Sequence, residues 1–569
     1  MTPREDPERP WISQYPPGVP ARLEIPDGTL TALFADAVAA YADRPSLDFL
    51  GRRLSYRQAD TLIGRAAAGF MRLGVRSGIR VALYLPNTAE SVLCYFAVLR
   101  AGGTVVNLNP LAAPQQVLWQ INDSGADVAV SVDLQPMFGR IIAALGQTGL
   151  RHVVVCEMAS MLPFPQNLAF RFKERARLAS LPRDERVLTF TALTTGGEAC
   201  DGKAAHPSDV AVIQYTGGTT GEPKGVLLTH GNLWANVMQL RAWFTQAEPG
   251  QERLLAVLPF CHGFGMTAVM NFAIALGSEL VILPRFRPVD VLRAIRRSGI
   301  TMLVGVPALF EALMAYRAAR DTDFSSLKVS VSGGDVLDAR LSQRFSALTG
   351  VPLAQGYGLT ECSPVVTCCN PLEGVARVGS CGVPLPGTDV AILSQEQPGH
   401  FLPPGEIGEI CVRGPQVMRG YWRQPQATSA ALRDGWLHTG DVGRMDQNGF
   451  LYFINRHPEV LSVHGRKVYA GIVEAAIRTH PAVAEVAVVG LPDPVRGTVL
   501  KAFVVPRPGL TLTEEALRGF LADRLSPVET PRVYSFLEKL PKSPLGKVLK
   551  HELGNGSAPV PSPGSAGAG

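Results

Sequence analysis

Apolar positions along the chain repeat with two periods. Leu30, Leu33, Phe34, Val38 and Tyr41 recur at helical spacing, which predicts an amphipathic helix. After it, short unbroken apolar runs alternate with helical stretches: VALYLP (81–86), TVVNLNP (104–110), VAVSV (128–132), VVVC (153–156), VAVIQY (210–215), LLAVLP (254–259), ELVILP (279–284), MLVGVP (302–307) and KVSVSGG (328–334). Such β-branched runs lack polar alternation, so each predicts a strand buried on both faces. Strands separated by helices predict largely parallel sheets and an α/β fold class.

Between 157 and 206 the regularity lapses. PFPQNLAFRFKERARLASLPR sets Phe164, Phe170 and Phe172 among Arg171, Lys173, Arg175 and Arg177. The stretch reads either as a surface excursion or as an amphipathic segment that touches a membrane or delivers an apolar substrate. Near the end the strand pattern restarts on a smaller scale, with VAEVAVVG (483–490), KAFVVP (501–506), a helix from about Thr513 to Leu525 and a final segment to about Leu553. The expected domains are a large N-terminal one over 1–454, a small C-terminal one over 457–553, and a tail over 554–569. The tail, ending NGSAPVPSPGSAGAG, lacks large apolar groups and is expected to be disordered. No internal repeat of 20 to 50 residues is evident.

Composition narrows the function classes. A chain of 569 residues exceeds one hydrophobic core. Its net charge of +5 is small for that surface and no dense Lys/Arg run is present, so there is no electrostatic case for nucleic acid. Nine cysteines (94, 156, 200, 261, 362, 368, 369, 381, 411) form an odd set without a C-x-x-C pair. They read as buried or free thiols of a reducing cytosol, not as a disulfide or zinc framework. The polar, proline-rich MTPREDPERPWISQYPPGVP has no apolar h-region and is not a secretory signal. The most apolar span, Thr267 to Pro284, is interrupted by Asn271, Ser278 and Glu279, which suits a buried helix and strand better than a membrane span. The expected location is cytoplasmic, with peripheral contact at the inner face of the membrane left open.

The densest chemistry lies in YTGGTTGEPKG (215–225). It is not the G-x-x-x-x-G-K-[ST] phosphate loop, because Lys224 sits between Pro223 and Gly225. Gly217, Gly218 and Gly221 nevertheless free backbone N–H groups to face an anion, Thr216, Thr219 and Thr220 offer hydroxyls, and Lys224 adds charge. TGGTTG alone would read as a flexible turn, and the Pro-Lys-Gly ending argues against that.

This stretch resembles the phosphate loop [YS]-T-[SG]-G-[ST]-T-G-x-P-K-G of the adenylate-forming enzymes, the family of acyl-CoA synthetases, luciferases and peptide-synthetase adenylation domains. Further elements follow in that family's order. LPFCHGFGM (258–266) is similar to the segment whose histidine, here His262, lines the acyl and thiol passage. SGGDVL (332–337) corresponds to the turn where Gly333, Gly334 and Asp335 let the backbone approach adenine and the acyl chain. In QGYGLTECSP (355–364) the resemblance implies Tyr357 stacked on adenine between Gly356 and Gly358. It also implies Thr360 as a donor to the α-phosphate, and Glu361 as a Mg2+ ligand together with Thr220. GWLHTGDVGRMDQNGFLYFINR (435–456) supplies Asp441 for the ribose hydroxyls, with Arg456 beside it. LPKSPLGKVLKHEL (540–553) carries the P-K-[ST]-x-x-G-K signature, whose Lys547 bridges the attacking carboxylate and the nucleotide. Within the family, QYTGGTTG, the SGGDVL turn, QGYGLTEC, GPQVMRGYW (414–422) and the 157–206 excursion look most like bacterial long-chain fatty acyl-CoA synthetases.

The resemblance implies stacked mixed and parallel sheets flanked by helices, plus a small mobile α+β domain. It implies a reaction in two halves, in which a fatty carboxylate attacks MgATP to give acyl-adenylate and pyrophosphate, and coenzyme A then takes the acyl group. Between halves the small domain swings about Asn455 and Arg456, withdrawing Lys547 and presenting Ser462 to Ala470, where Gly465 and Arg466 belong to the acceptor loop. The expected acyl-tunnel walls are Val304, Gly305, Val306 and Pro307 with Gly333 and Gly356. Two segments depart from the family. The hinge reads NRHPE in place of D-R-x-K-[DE], so Asn455, His457 and Pro458 differ and the proline stiffens it. The acceptor loop HGRKVYAG carries Arg466 and Lys467, with Gly471 near the usual proline. Two extra cations suit a phosphate-bearing acceptor such as coenzyme A, and leave open a different acceptor. The alternatives are a fatty acyl-AMP ligase loading a carrier protein, whose characteristic insertion is not identified, and a weakly catalytic binding homologue. Against the latter stand Lys224, Glu361, Asp441 and Lys547. The expected partners are a fatty acid, ATP and coenzyme A, without nucleic acid; a homodimer is left open.

Overall fold

The computed structural model describes residues 9–554 except 201–204, 217–222, 374–376, 378, 395, 398, 457–459, 464–465, 494–496, 523, 526–528 and 543–547. The tail from 555 onward lies outside the described residues.

Each of the nine apolar runs contains a strand, and they sort into two large sheets. The first runs edge to edge through Val383–Pro384, Val365–Cys368, Leu353–Gly358, Val329–Ser332, Met302–Gly305, Arg253–Ala256, Glu279–Ile282, Pro45–Phe49 and Arg52–Ser55. Its interior pairings are parallel and its edges antiparallel. The second runs through Gly420–Tyr421, Gly225–Thr229, Val210–Tyr215, Thr104–Asn107, Arg80–Leu83, Val128–Val132, His152–Cys156 and Val187–Thr189. The second sheet also departs from parallel pairing at one edge: Val210–Tyr215 and Gly225–Thr229 are antiparallel, because only nine residues separate them, too few for a crossover, and Gly420–Tyr421 joins Gly225–Thr229 antiparallel as well.

Alternation along the strands assigns the layers. Leu254 and Ala256 of the first sheet and Val81, Leu83, Val128 and Val130 of the second share one central core with Phe34, Phe70, Phe96 and Trp243. Their neighbours Leu255 and Val257 point into a separate outer core, and Ala82, Tyr84 and Ala129 into another. A period of two therefore puts helices between the sheets and on both outer faces. The central helices start on side-chain caps, with reciprocal capping boxes at Ser55/Gln58, Thr88/Ser91 and Thr229/Asn232.

A smaller antiparallel sheet follows, made of Asp389–Leu393, Gly408–Arg413, Trp436–Met445 and Leu432–Arg433, with Leu451–Arg456 paired to Trp436–Met445. The C-terminal part is α+β: strands Val483–Asp493, Gly497–Pro506 and Val533–Phe536 share a core with Ala470–Arg478 and Glu514–Leu521. The helix Glu514–Leu521 is shorter than the expected Thr513 to Leu525, starting on a Thr513 cap. None of the nine cysteines is in a disulfide, and eight of them are buried. Among the described residues no helix is long and apolar enough to cross a membrane; Thr267 to Pro284 resolves into helical turns to Ala275 and the strand Glu279–Ile282.

Candidate active site

The antiparallel pair brings Thr216 opposite Lys224, whose carbonyl accepts from the Thr216 N–H at 3.0 Å and its hydroxyl at 3.5 Å. Gly217, Gly218, Thr219, Thr220 and Gly221 lie outside the described residues. The short strand Gly420–Tyr421 adds to the edge of this pair, with Tyr421 opposite Val226, and the Trp422 N–H donates to Gly225 O at 2.7 Å. Tyr421 consequently sits under the Lys224 ammonium, 4.9 Å from its ring centre, and donates its hydroxyl to Glu361 Oε1 at 2.9 Å. One aromatic residue thus links the cation of the phosphate loop to the half-buried carboxylate of QGYGLTEC.

Strand Leu353–Gly358 carries the next group. Tyr357 is 9% exposed and donates to Asp441 Oδ2 at 2.8 Å. Burial, reinforced by the Asp441 carboxylate, pushes the phenol far up, so it remains a donor. Gly358 is required here, because a Cβ would lie 2.0 Å from the Pro364 carbonyl oxygen. Beyond it Thr360 and Glu361 occupy a single tight turn, Thr360–Cys362. On the neighbouring strand, a Cβ at Gly333 would lie 2.9 Å from Phe264 Cζ and 3.4 Å from Gly356 O, so two glycines hold a narrow gap open. Gly334 has φ +80°, and exposed Asp335 accepts the Val336 N–H at 2.8 Å.

Asp441 owes its place to an irregularity. Between the pairs Glu409↔Val442 and Cys411↔His438, the single residue Ile410 faces the three residues Thr439–Asp441, so the strand bulges. Glu409 pins the bulge with both oxygens: Oε1 accepts the Gly440 N–H at 3.1 Å and Oε2 meets His438 Nδ1 at 2.8 Å. Thr439 donates its hydroxyl to Ile410 O at 2.7 Å and accepts the Asp441 N–H at 3.0 Å. Burial pushes the Glu409 carboxyl up, but the hydrogen bond and charge of His438 outweigh it and hold the carboxyl below its ordinary range. With Cys411, these two side chains bring three possible metal-ligand atoms within 4.8 Å of one another. Both Glu409 oxygens already serve the bulge, so the group acts as a backbone pin. Asp441 lies opposite Arg456 across the strands.

Buried amides hold the LPFCHGFGM segment. Asn87 donates to Leu258 O at 2.8 Å and accepts from the Phe260 N–H at 2.9 Å, while Gln214 donates to Cys261 O at 2.6 Å. His262 caps the helical turns beginning at Gly263, which pass through a π-helical stretch, Met266–Asn271. Burial lowers the imidazole pKa to about 4, leaving it neutral at physiological pH.

Phe264, Ala268 and Phe272, spaced four apart on these turns, form one wall of an apolar cavity, and Met302, Val304, Val329 and Val331 form the other. Gly333, Gly356 and Tyr357 close its polar end. Three expected walls are therefore present, Val304, Gly333 and Gly356. Gly305 is not one of them: strand alternation turns it to the outer face, where a Cβ would lie 2.9 Å from Phe310. Val306 and Pro307 likewise do not line the cavity, because they cap and begin the helix Pro307–Ala315. Among the described residues His262 does not line the cavity either; Phe264, two positions on, does.

In the acceptor segment, Val460–Val463 and Arg466–Tyr469 form an antiparallel ribbon that includes the backbone of Arg466 and Lys467. Gly465, His457, Pro458 and Lys547 lie outside the described residues. The unusual Gly471 has a local reason, since a Cβ would lie 1.9 Å from Ile454 O. Its absence lets the helix Ala470–Arg478 approach the strand Leu451–Arg456. Sequence reading missed Tyr421, Glu409 and Thr439 as site residues. The available signal was an acidic residue beside the apolar run of GEICVR and a tyrosine ending a glycine-preceded edge strand.

Comparison with known proteins identifies the family. The model of the AMP-binding enzyme family matches residues 34–422, and that of the AMP-binding enzyme C-terminal domain matches 472–547. The long-chain-fatty-acid–CoA ligase of Bacillus subtilis (strain 168) is 38% identical over 550 residues, covering 96% of this chain and 98% of the relative. That of Escherichia coli O6:H1 is 36% identical over 554 residues, covering 95% and 97%. Among solved structures, ATP-bound MatB from Rhodopseudomonas palustris superposes with a TM-score of 0.81 at 28% identity, covering 92% of this chain and 98% of its own.

Proposed function

The chain belongs to the AMP-binding enzyme family, and we propose that it is an AMP-forming fatty acid–CoA ligase for medium to long chains. It activates the acid with ATP to acyl-AMP, releasing pyrophosphate, and passes the acyl group to coenzyme A. The observation that carries this reading is the junction at Tyr357, whose ring closes an apolar cavity while its hydroxyl holds Asp441 at 2.8 Å. An acid with its tail in the cavity has its carboxyl beside a polar surface that also presents Glu361 and Lys224. The named relatives are long-chain-fatty-acid–CoA ligases, and MatB holds ATP on the same fold.

In this reading Asp441 accepts hydrogen bonds from the ribose hydroxyls, the Tyr357 ring lies on adenine, and Thr216 to Lys224 hold the β- and γ-phosphates. Thr360 donates to the α-phosphate. A carboxylate oxygen of the acid attacks the α-phosphorus, the bond to the bridging oxygen of pyrophosphate breaks, and Lys224 favours the departing charge. Glu361 suits a hard divalent cation, since Tyr421 takes one carboxylate oxygen and leaves the other as a ligand, with Thr220 as a second donor. Bound Mg2+ would offset triphosphate charge. Lys547 supplies charge between the carboxylate and the nucleotide in the first half. The part after Arg456 then rotates as a small domain, and the thiol of coenzyme A attacks the acyl carbon while AMP leaves. His262, held neutral by burial, can accept a hydrogen bond from that thiol but is too weak a base to keep its proton, which passes to solvent, and the cations Arg466 and Lys467 suit the phosphates of coenzyme A.

The test is pyrophosphate release by the purified protein with ATP and a panel of carboxylic acids, with and without coenzyme A. Long-chain acids should give pyrophosphate and, with coenzyme A, a thioester. Pyrophosphate without thioester would overturn the acceptor, and no adenylation of any acid would overturn the whole reading. Lys547→Ala should depress adenylation far more than thioester formation from supplied acyl-adenylate.

A further inference from the structure

The helix Gln166–Lys173 is amphipathic in the reverse sense. Phe170 packs against the central core, and Asn167 and Glu174 are half-buried on the same side. At about 100° per residue, the opposite side carries Leu168 and Phe172, which are 57% and 87% exposed. Phe164, just before the helix, is 79% exposed. Arg171 and Lys173 fall on the two flanks of this apolar face, and Arg175 and Arg177 follow, all exposed. From 164 to 177 these four cations stand against one acid, Glu174, which pairs with Arg177 at 3.0 Å.

The exposure does not come from a loose end. Both sides of the segment are tied to Asp133: its Oδ1 accepts the Met158 N–H at 2.9 Å and its carbonyl accepts the Ala179 N–H at 2.8 Å. Met158 and Met161 are buried before the helix, and Gln135 donates its N–H to Arg177 O at 2.9 Å after it. The fold thus holds two phenylalanines and a leucine in water between cations.

We propose that this face docks the enzyme on an anionic phospholipid bilayer. Phe164, Leu168 and Phe172 enter the boundary between headgroups and acyl chains, and Arg171, Lys173, Arg175 and Arg177 meet lipid phosphates. Cations on both flanks of an outward apolar face complement a surface that is anionic outside and hydrocarbon beneath. The purpose of docking rests on the proposed function, since a long-chain acid partitions into the same bilayer; the docking itself does not.

The test is co-sedimentation of the full chain, without ATP, with phosphatidylcholine vesicles that contain or lack phosphatidylglycerol. Two variants are compared, Phe164→Ser/Leu168→Ser/Phe172→Ser and Arg171→Glu/Lys173→Glu/Arg175→Glu. Wild type should bind anionic vesicles at least about tenfold better than neutral ones, less at high salt, and each variant should lose about tenfold. Both variants should keep acyl-CoA formation from acid supplied in detergent, which shows that they are folded. Equal binding by wild type and folded variants would overturn the proposal. So would failure of wild type to bind anionic vesicles; a concentration-dependent assembly abolished by the serine variant would then assign the face to a second copy. Because vesicle binding needs no catalysis, either result leaves the ligase reading to its own assay.

Discussion

The two sides of strand Leu353–Gly358 solve different problems. On the polar side, each placed side chain has a named partner: Tyr357 holds Asp441, Tyr421 holds Glu361, and Glu409 and Thr439 hold the bulge from which Asp441 projects. Around the apolar cavity, Phe264, Phe272, Met302 and two glycines define only a volume. Directional bonds permit one arrangement, whereas an apolar wall permits any chain that fills it. A site that must take one nucleotide but acids of several lengths can combine the two.

The sharpest way to break this contrast is Asp441→Ala. Losing two charge-assisted bonds at about 1.5–3 kcal/mol each should lower kcat/KM for ATP by about a hundredfold or more in pyrophosphate release, and a loss below threefold would remove Asp441 from the ribose. The scaffold of the apolar side should show a pH effect of similar size. His230 is buried at the start of the helix His230–Trp243, accepts the Leu30 N–H at 3.3 Å, and is lowered by burial to about 4 despite the opposing charge of Asp209. A depressed folded pKa contributes stability that is present above the unfolded value near 6.5 and is lost as pH falls toward 4, about 3 kcal/mol in all. Urea unfolding between pH 7 and pH 4 should show a shallower acid loss in His230→Asn than in wild type, and identical slopes would discard this source.

Ala268→Leu, on the apolar wall, should reverse the permissiveness of the cavity. Overpacking costs about 1–3 kcal/mol, so kcat/KM for a long acid should fall about tenfold while a short acid changes little, and equal losses would place the tail elsewhere. The smallest effect is expected from Glu409→Gln, which keeps an acceptor for the Gly440 N–H but removes the charge facing His438. At about 1 kcal/mol, the KM for ATP should rise several-fold with the KM for the acid unchanged, and a change in the acid term alone would contradict the pin.

Much of this was legible along the chain. The unbroken runs marked the strands because burial on both faces leaves no polar period, and the family-like motifs singled out Tyr357 and Asp441, which the structure joins by a hydrogen bond. Gly305 shows the limit: it lies in a correctly identified strand, yet which face it takes depends on how two sheets stack. Tyr421 and Glu409 show it again, since their importance comes only from what lies across a sheet from them. The helix Gln166–Lys173 shows it most plainly, because its spacing is that of any amphipathic helix and only packing reveals that the apolar face points out.

What the amino-acid order determined by itself was the α/β class, the strand positions, and the residue types able to hold a nucleotide. These follow from periodicity, glycine placement and local motifs, which act over a few residues at a time. The tertiary structure alone decided that Lys224 and Glu361 share Tyr421, that a bulge aims Asp441, and which glycines line the apolar cavity. Contacts between residues so distant in the chain exist only once the sheets have stacked and brought them within hydrogen-bond reach.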